Sequence, residues 1–399
     1  MSPHIFLVAG EESGDRLGAA LIAAIRQRTQ GHAQFSCVGG AHMAAEGVPS
    51  LFPLGDLAII GFGAIVTRLP RLLRRIRESA DAVVSAKPDV LVIIDSPEFT
   101  HRVARQVRAR TPDIPIVDYV CPSVWAWRPG RARAMRAYVD RVLALLPFEP
   151  KVLKELDGPP CSYVGHPLTD RLEDLRPNEL EKRLRTAGPP LLLVMPGSRS
   201  GEIRRMAPVF GAAAARVAEQ FGDIEVVVPA VPRLADVARG AIASWRVPTR
   251  VITDASEKDE AFRTARAALT KSGTSTLELA LAGVPMVAAY KVSVIEEIAA
   301  RLLINVPSVI LANLTLGENI VPEFLQWDCT AARLADALLP LLADTPERRR
   351  QTEAFARLDA IMEIGSAHPG DRAAAVVLDC AMTKGLLPRE TVESALSQS

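Results

Sequence analysis

Four short runs of valine, isoleucine and leucine punctuate the first half of the chain: IFLVAG from residue 5, DVLVIIDS from residue 89, IPIVDYV from residue 114 and RVLALLPF from residue 141. They lack the alternation of a strand with one wet face, which predicts strands buried on both sides of a parallel sheet. Between them, residues 16–28 and 101–110 mix apolar and charged positions at helical spacing. This half therefore reads as a doubly wound, Rossmann-like α/β domain. VGHP at residues 164–167 interrupts the pattern with glycine and proline, as a junction between two folded units does. The rhythm then restarts with LLLVMPG from residue 191, IEVVVPA from 224, TRVIT from 249, AALTKSG from 267 and PMVAAY from 285. A second Rossmann-like domain is the expectation. From Thr330 the strand pattern stops, and helical stretches at 331–343, 347–364 and 371–384 lead into a polar tail. The expected division is 1–165, 166–343 and 344–399, with the last segment packing on an N-terminal domain.

Composition agrees with two folded units. The chain has 399 residues, twice an ordinary domain or more, and 49% hydrophobic against 23% charged residues gives it the apolar surface for sizeable cores. A formal net charge of +1 argues against a surface built to attract nucleic acid, so no nucleic-acid partner is expected. The five cysteines, Cys37, Cys121, Cys161, Cys329 and Cys380, are scattered and form no CxxC pair. They suggest neither a disulfide framework nor a zinc site, and a reducing cytoplasm suits them. The apolar run 5–9 is shorter than a signal-peptide core, and the uncharged stretch 57–66 falls short of the ~18–20 residues of a spanning helix. Any membrane contact is expected to be peripheral.

Open α/β sheets bind ligands beyond the carboxyl ends of their strands, so two such domains in tandem predict a site in a cleft between them. In TKSGTSTLELALAGVP, from residue 270, a strand ends in Ser272, Gly273 and Thr274, and a helix opens with Ser275, Thr276 and Glu278. A helix start rich in small hydroxyl residues offers unpaired N–H groups to a diphosphate. The competing reading is an ordinary helix cap of the [ST]-x-x-E type. Glu278, one turn in, is suited to ribose hydroxyls. MPGSRSGEIRRM, from residue 195, brings Gly197, Ser198 and Arg199 to the top of the same sheet, where an arginine clamps phosphate or merely solvates a turn. AGEESGD, from residue 9, follows the first strand but is no GxGxxG fingerprint. Its three carboxylates repel pyrophosphate, so Glu12, Ser13, Gly14 and Asp15 are assigned to a sugar. Asp95 and Glu98 end the strand LVIID, where either carboxylate serves as a general base or caps the next helix. Tyr119, Trp125 and Trp127 concentrate aromatic faces in a chain with 5% aromatic residues, and Trp125 is assigned to sugar stacking, with core packing as the alternative. Residues 57–78 combine Ile59, Ile60, Phe62, Ile65, Val66 and Leu69 with Arg68, Arg71 and Arg75. That pattern fits a helix lying in an anionic membrane interface, or one docking on its own sheet.

The ordered set AGEESGD, VGGAHMAAEG, IDSPEF, YVCPSVWAWR, LPFE, VGHPL, MPGSR, KSGTSTLE and the stretch from Asn313 to Gln326 resembles lipid-A-disaccharide synthase along nearly the whole chain. The resemblance implies a GT-B fold and an inverting transfer of 2,3-diacylglucosamine from its UDP donor to 2,3-diacylglucosamine 1-phosphate, giving a β-1,6 disaccharide 1-phosphate and UDP. It places Asp95 at the family's essential acidic position and Arg199 in its diphosphate region. Ser272, Gly273, Thr274, Ser275, Thr276, Glu278 and Asn313 fall on its UDP side. It further implies a homodimer with exchanged C-terminal helices, at the inner face of the inner membrane. Glu98, Thr100, Cys121, Met195 and Ala312 depart from the family pattern. No DxD motif stands out, so no metal or other cofactor is expected. A UDP-sugar epimerase and a non-catalytic UDP-sugar sensor are the rival readings, separated by whether UDP release needs an acceptor.

Overall fold

The computed structural model describes residues 2–57, 64–292, 308–364 and 367–383, with the backbone alone at residues 64–68. It divides into two compact units, Met1–Thr169 with Gly365–Ser399 and Asp170–Ile364. Each is built on a six-stranded sheet whose pairings are all parallel.

The first sheet comprises β1 (His4–Ala9), β2 (Gln34–Val38), β3 (Val90–Ile94), β4 (Ile116–Tyr119), β5 (Arg141–Ala144) and β6 (Cys161–Tyr163), in the order β2-β1-β3-β4-β5-β6. The apolar runs fold this way because successive side chains leave opposite faces of a strand, and here both faces are covered. Phe6, Val8, Leu91 and Ile93 pack with Ile76, Ala80 and Val83 of helix Ala64–Ala86 and with Phe99, Val103 and Val107 of helix Pro97–Arg110. Ile5, Leu7, Val92 and Ile94 pack with Leu21, Ile22 and Ile25 of helix Glu12–Arg28, and with Ala373 and Val377 of helix Pro369–Met382.

The second sheet comprises β7 (Leu191–Met195), β8 (Glu225–Pro229), β9 (Thr249–Ile252), β10 (Ala267–Lys271), β11 (Met286–Tyr290) and β12 (Glu323–Leu325), in the order β12-β11-β10-β7-β8-β9. Numbered from its own first strand, this is the 3-2-1-4-5-6 order of a dinucleotide-type Rossmann sheet. Met206, Phe210, Ala214 and Val217 of helix Ser200–Phe221 and Leu334, Leu338 and Leu341 of helix Ala331–Leu342 cover one face.

The C-terminal segment does not pack as one piece on an N-terminal domain. Helices Pro346–Ala356 and Leu358–Ile361 belong to the second unit. Buried Gln351 there exchanges two hydrogen bonds with the backbone of Met286, at 2.8 and 3.1 Å, extending the edge of β11's backbone pairing through a side chain. The Arg176 guanidinium also grips Asp359. Within the described residues, Pro369–Met382 is the C-terminal helix that joins the first unit, held by its apolar face and by Arg372 donating to the Tyr163 carbonyl at 3.0 Å. Among the described residues, no helix is long and apolar enough to cross a membrane.

Candidate functional site

In each sheet the strand order reverses at one place, between β1 and β3 in the first and between β7 and β10 in the second. Helices leave opposite faces there and open a crevice at the carboxyl ends of the two strands. The four chemistry-bearing turns read from the sequence follow these four strands.

In the first unit, β3 ends in two consecutive left-handed residues, Asp95 at φ 53° and Ser96 at φ 47°. Non-glycine residues rarely adopt that conformation, and a pair of them stores strain that the surroundings must hold. The fully buried Thr100 donates its hydroxyl to the Asp95 carbonyl at 2.6 Å, and the Asp95 amide donates to the Tyr119 carbonyl at 3.1 Å. The Asp95 carboxylate accepts from the Ser96 amide at 2.7 Å and from the Ser13 hydroxyl at 3.1 Å. Ser13 thus joins the turn after β1 to the turn after β3. The helix that follows carries a buried pair absent from the sequence reading. His101 Nε2 lies 3.0 Å from Asp118 Oδ2 on β4, and its other ring nitrogen is 3.1 Å from the Tyr138 hydroxyl. Burial pushes the Asp118 carboxyl up.

The remaining carboxylates sort themselves by partner. Asp15, assigned above to a sugar, is instead spent inside the protein. It is 1% exposed and accepts from the amides of Gly40, His42 and Met43 at 2.7–3.1 Å, fastening the VGGAHM loop. Three backbone donors and near-complete burial keep its carboxylate away from a ligand. Gly14 lets helix Glu12–Arg28 approach the end of β3, since a Cβ there would meet the Ile94 carbonyl at 3.1 Å. Glu12 is exposed and pairs with Arg16. Glu98 is hydrogen-bonded by Arg131, which with Arg128 and Arg102 holds its carboxyl below the usual range. Trp125 donates its indole N–H to Glu149 at 3.2 Å and meets Phe148 edge to face. Glu149 is almost fully buried, also accepts from the Leu146 amide, and is pushed up to about 7 by desolvation.

In the second unit the two turns at the reversal point each carry a glycine at positive φ, Gly197 at 138° after β7 and Gly273 at 153° after β10. The capping alternative for Thr274–Leu281 does not hold, because no side chain caps this helix start. Thr276 is fully buried and bonds its hydroxyl back to the Gly273 carbonyl at 2.8 Å. An eight-residue helix with an uncapped N-terminus at a reversal point presents polarised N–H groups to an anion. Ser272 donates to Glu323 at 3.2 Å, which fixes its rotamer. Thr274 and Ser275 lie in the first turn, and Arg199, 78% exposed along its side chain, stands on the neighbouring turn with its guanidinium 3.5 Å from Glu202. Glu278 is nearly buried and ion-paired to Lys258 at 2.9 Å, so a ribose must share it with that lysine. Asn313 contacts protein on every side. Its carbonyl accepts from the amides of Ile320 and Val321 and its amide donates to the Val321 carbonyl. It shapes the loop before β12, and its side-chain N–H₂ also faces the Ser308 hydroxyl at 3.4 Å.

On the basic helix, Ile59, Ile60 and Phe62 lie outside the described residues, as do the side chains of Ile65, Val66 and Arg68. Leu69 and Arg71 are exposed, together with Leu73. Arg75 is not part of that face. Its guanidinium binds Asp56 and Glu78 and stacks 4.4 Å over the Phe52 ring. Leu72 and Ile76 pack on the core, so the inner side of the helix docks on its own sheet.

A family model described as lipid-A-disaccharide synthetase matches residues 5–370. Proteins named lipid-A-disaccharide synthase are 57% identical over 378 residues in Nitrobacter hamburgensis, covering 95% of this chain and 96% of that protein, and 58% identical over 381 residues in Bradyrhizobium diazoefficiens, covering 96% and 97%. Among solved structures, a UDP-GlcNAc 2-epimerase from Neisseria meningitidis bound to UDP-GlcNAc aligns with a TM-score of 0.62 at 13% identity, over 94% of this chain and 100% of that one. Acinetobacter baumannii MurG aligns with a TM-score of 0.56 at 14% identity, over 94% and 99%. At such identities these structural likenesses concern the fold, whereas the sequence relatives concern the enzyme. The chain belongs to the lipid-A-disaccharide synthase family of glycosyltransferases and has the GT-B fold.

Proposed function

We propose that the protein transfers 2,3-diacylglucosamine from its UDP donor to the 6-hydroxyl of 2,3-diacylglucosamine 1-phosphate, with UDP held on the second unit. The observation that carries the donor side is the uncapped helix start at Gly273, beside the reversal point of a Rossmann sheet. Asp95 takes the proton of the acceptor hydroxyl, the oxygen forms the new bond to the anomeric carbon, and the bond to the diphosphate breaks with its electron pair leaving on UDP. A single displacement of this kind inverts the anomeric centre. Arg199 and the helix terminus meet the charge that grows on the leaving group, without a metal. Ser13 holds Asp95 through its carboxylate. The exposed Leu69, Leu73 and Arg71 suit an anionic membrane surface, where a lipid acceptor resides, and the active form is a homodimer.

Synthetic donor and acceptor, followed by mass spectrometry, test the transfer directly. A disaccharide 1-phosphate formed only with both substrates supports it, whereas UDP release without acceptor overturns it in favour of hydrolysis and conversion of the donor to an epimer without acceptor overturns it in favour of an epimerase. Asp95→Ala should abolish transfer while UDP affinity stays within about twofold. Turnover near wild type would remove Asp95 as the base. Full activity is expected in excess chelator, and strict dependence on Mg²⁺ would overturn the metal-free reading.

A further inference from the structure

Lys271 ends β10 one position beyond the Thr270–Met195 pairing, so its backbone lies beside the turn that carries Gly197 and Ser198. Its ammonium is 3.1 Å from Oε1 of Glu202 and 4.6 Å from the centroid of the Tyr290 ring. A Cβ placed on Gly273 would stand 3.8 Å from the same nitrogen, which locates the ammonium against the start of helix Thr274–Leu281. Glu202 itself is almost buried. Its other oxygen accepts from the Ser198 amide at 3.1 Å, and the Arg199 guanidinium approaches Oε1 at 3.5 Å. One carboxylate therefore ties together both turns at the reversal point and balances two cations, which leaves the cluster with an excess of positive charge. Burial alone would push the Glu202 carboxyl up, but the charge of Lys271 and its hydrogen bond outweigh this and hold it below the usual range.

This arrangement does more than stabilise a turn. A carboxylate with two cations and a backbone donor is over-supplied with positive charge, whereas an ion pair that only anchors a strand end needs one partner. An ammonium has three N–H donors. Glu202 takes one and the Tyr290 ring face lies next to a second, so among the described residues a third remains for a ligand at the helix start. Fixed by its neighbours, the lysine does not have to be ordered when the ligand arrives, which preserves the strength of a charge-assisted hydrogen bond.

We propose that Lys271 is a donor-binding residue whose ammonium hydrogen-bonds the diphosphate of the UDP-linked sugar, with Glu202 holding it in place before the donor arrives. The inference rests on the reading that UDP occupies the second unit, and it adds a third source of positive charge to Arg199 and the helix terminus. As the anomeric bond breaks, the leaving diphosphate gains negative charge and the hydrogen bond strengthens, so Lys271 contributes to turnover as well as to affinity.

The test compares UDP with uridine on the full-length wild-type protein and on Lys271→Met and Lys271→Arg variants. Ligand-observed NMR competition measures the affinities, and the transfer assay measures kcat and KM. Lys271→Met should weaken UDP by ~10-fold or more, leave uridine within about twofold, and lower kcat/KM by at least as much as UDP affinity. Lys271→Arg, which keeps the charge, should recover part of the loss. UDP affinity unchanged in Lys271→Met overturns the proposal. An equal loss for uridine also overturns it, since that marks a disturbed pocket rather than a missing phosphate contact. Wild-type protein that binds UDP no better than uridine sinks the diphosphate reading itself, and this inference with it.

Discussion

Asp95 and Ser96 end β3 in a conformation that costs roughly 1–3 kcal/mol per residue. That cost persists because four neighbours fix the turn: the Thr100 hydroxyl, the Tyr119 carbonyl, the Ser13 hydroxyl and the bare Cα of Gly10. Gly10 matters for space, since a Cβ there would lie 2.4 Å from Ser96 Cβ and 2.8 Å from its hydroxyl. Gly10→Ala must therefore displace the turn that aims Asp95. It should lower kcat by ~10-fold or more while UDP affinity is unchanged, because a base misplaced by about 1 Å loses catalysis without touching the donor. A variant with normal kcat would show that the turn tolerates the shift. At this scale the sequence placed the four polar turns after β1, β3, β7 and β10, but did not show which way each side chain points. Asp15 is expected at a sugar because it lies in the turn after β1, and Asn313 at UDP because the family resemblance implies it. Both are consumed by backbone amides, Asp15 by residues 40–43 and Asn313 by residues 320–321. Those contacts join positions far apart or in irregular loops, where spacing carries no periodic signal. His101 and Asp118 were passed over for the same reason, since a helix and the next strand bring them together.

Among the elements, those buried on both sides were legible and three of the four at the sheet edges were not. The runs that became β1, β3, β4 and β5, and later β7, β8, β10 and β11, are largely apolar. In contrast β2, β6 and β12 each lie at a sheet edge, are partly exposed and lack the run that announces a buried strand, whereas β9, the remaining edge strand, is expected from TRVIT. Their places depend on tertiary contacts. The loop after β2 is a case in point, because the Asp15 carboxylate of helix Glu12–Arg28 collects three of its amides at the start of helix Ala41–Ala45. A carboxylate near a helix start also interacts favourably with the helix dipole. Asp15→Ala leaves these donors without a partner, so the first unit should lose on the order of 3 kcal/mol of stability. Urea denaturation would read this as a lower midpoint with an unchanged slope. Asp15→Asn retains one accepting oxygen and should lose less. If Asp15→Ala is as stable as the wild type, water or a shifted loop replaces the carboxylate and the clamp is not structural.

For the whole molecule, the division of the C-terminal segment decides how stability is measured. The chain crosses into the second unit after Thr169 and returns for helix Pro369–Met382, so the first unit is discontinuous in sequence. From the sequence the whole of 344–399 is expected on an N-terminal domain, whereas the residues up to Ile364 belong to the second unit. Two units can unfold in separate transitions, and a single melting temperature then has no clear meaning. Hydrogen exchange at the amides of β4 and β5, corrected for the intrinsic exchange rate, reports the first unit by itself. There the pH dependence should carry the signature of Glu149, which closes the LPFE motif and is 4% exposed. Desolvation raises its carboxyl from 4.5 to about 7, so the folded unit holds this proton more tightly than the unfolded chain does. The sign follows from linkage. The stabilisation is complete below about pH 4.5 and is lost as pH rises through 7. The span corresponds to on the order of 3 kcal/mol. Protection of β4 and β5 should therefore fall between pH 5 and pH 7.5 in the wild type, and fall less in Glu149→Gln, which has no proton to lose in that window. The glutamine also presents an N–H₂ group to one of the two donors that the carboxylate accepts, Trp125 Nε1 or the Leu146 amide, so its protection should be lower at acid pH. The difference in slope, rather than the absolute stability, isolates the titration. Equal slopes in the two proteins would show that Glu149 does not titrate within this range.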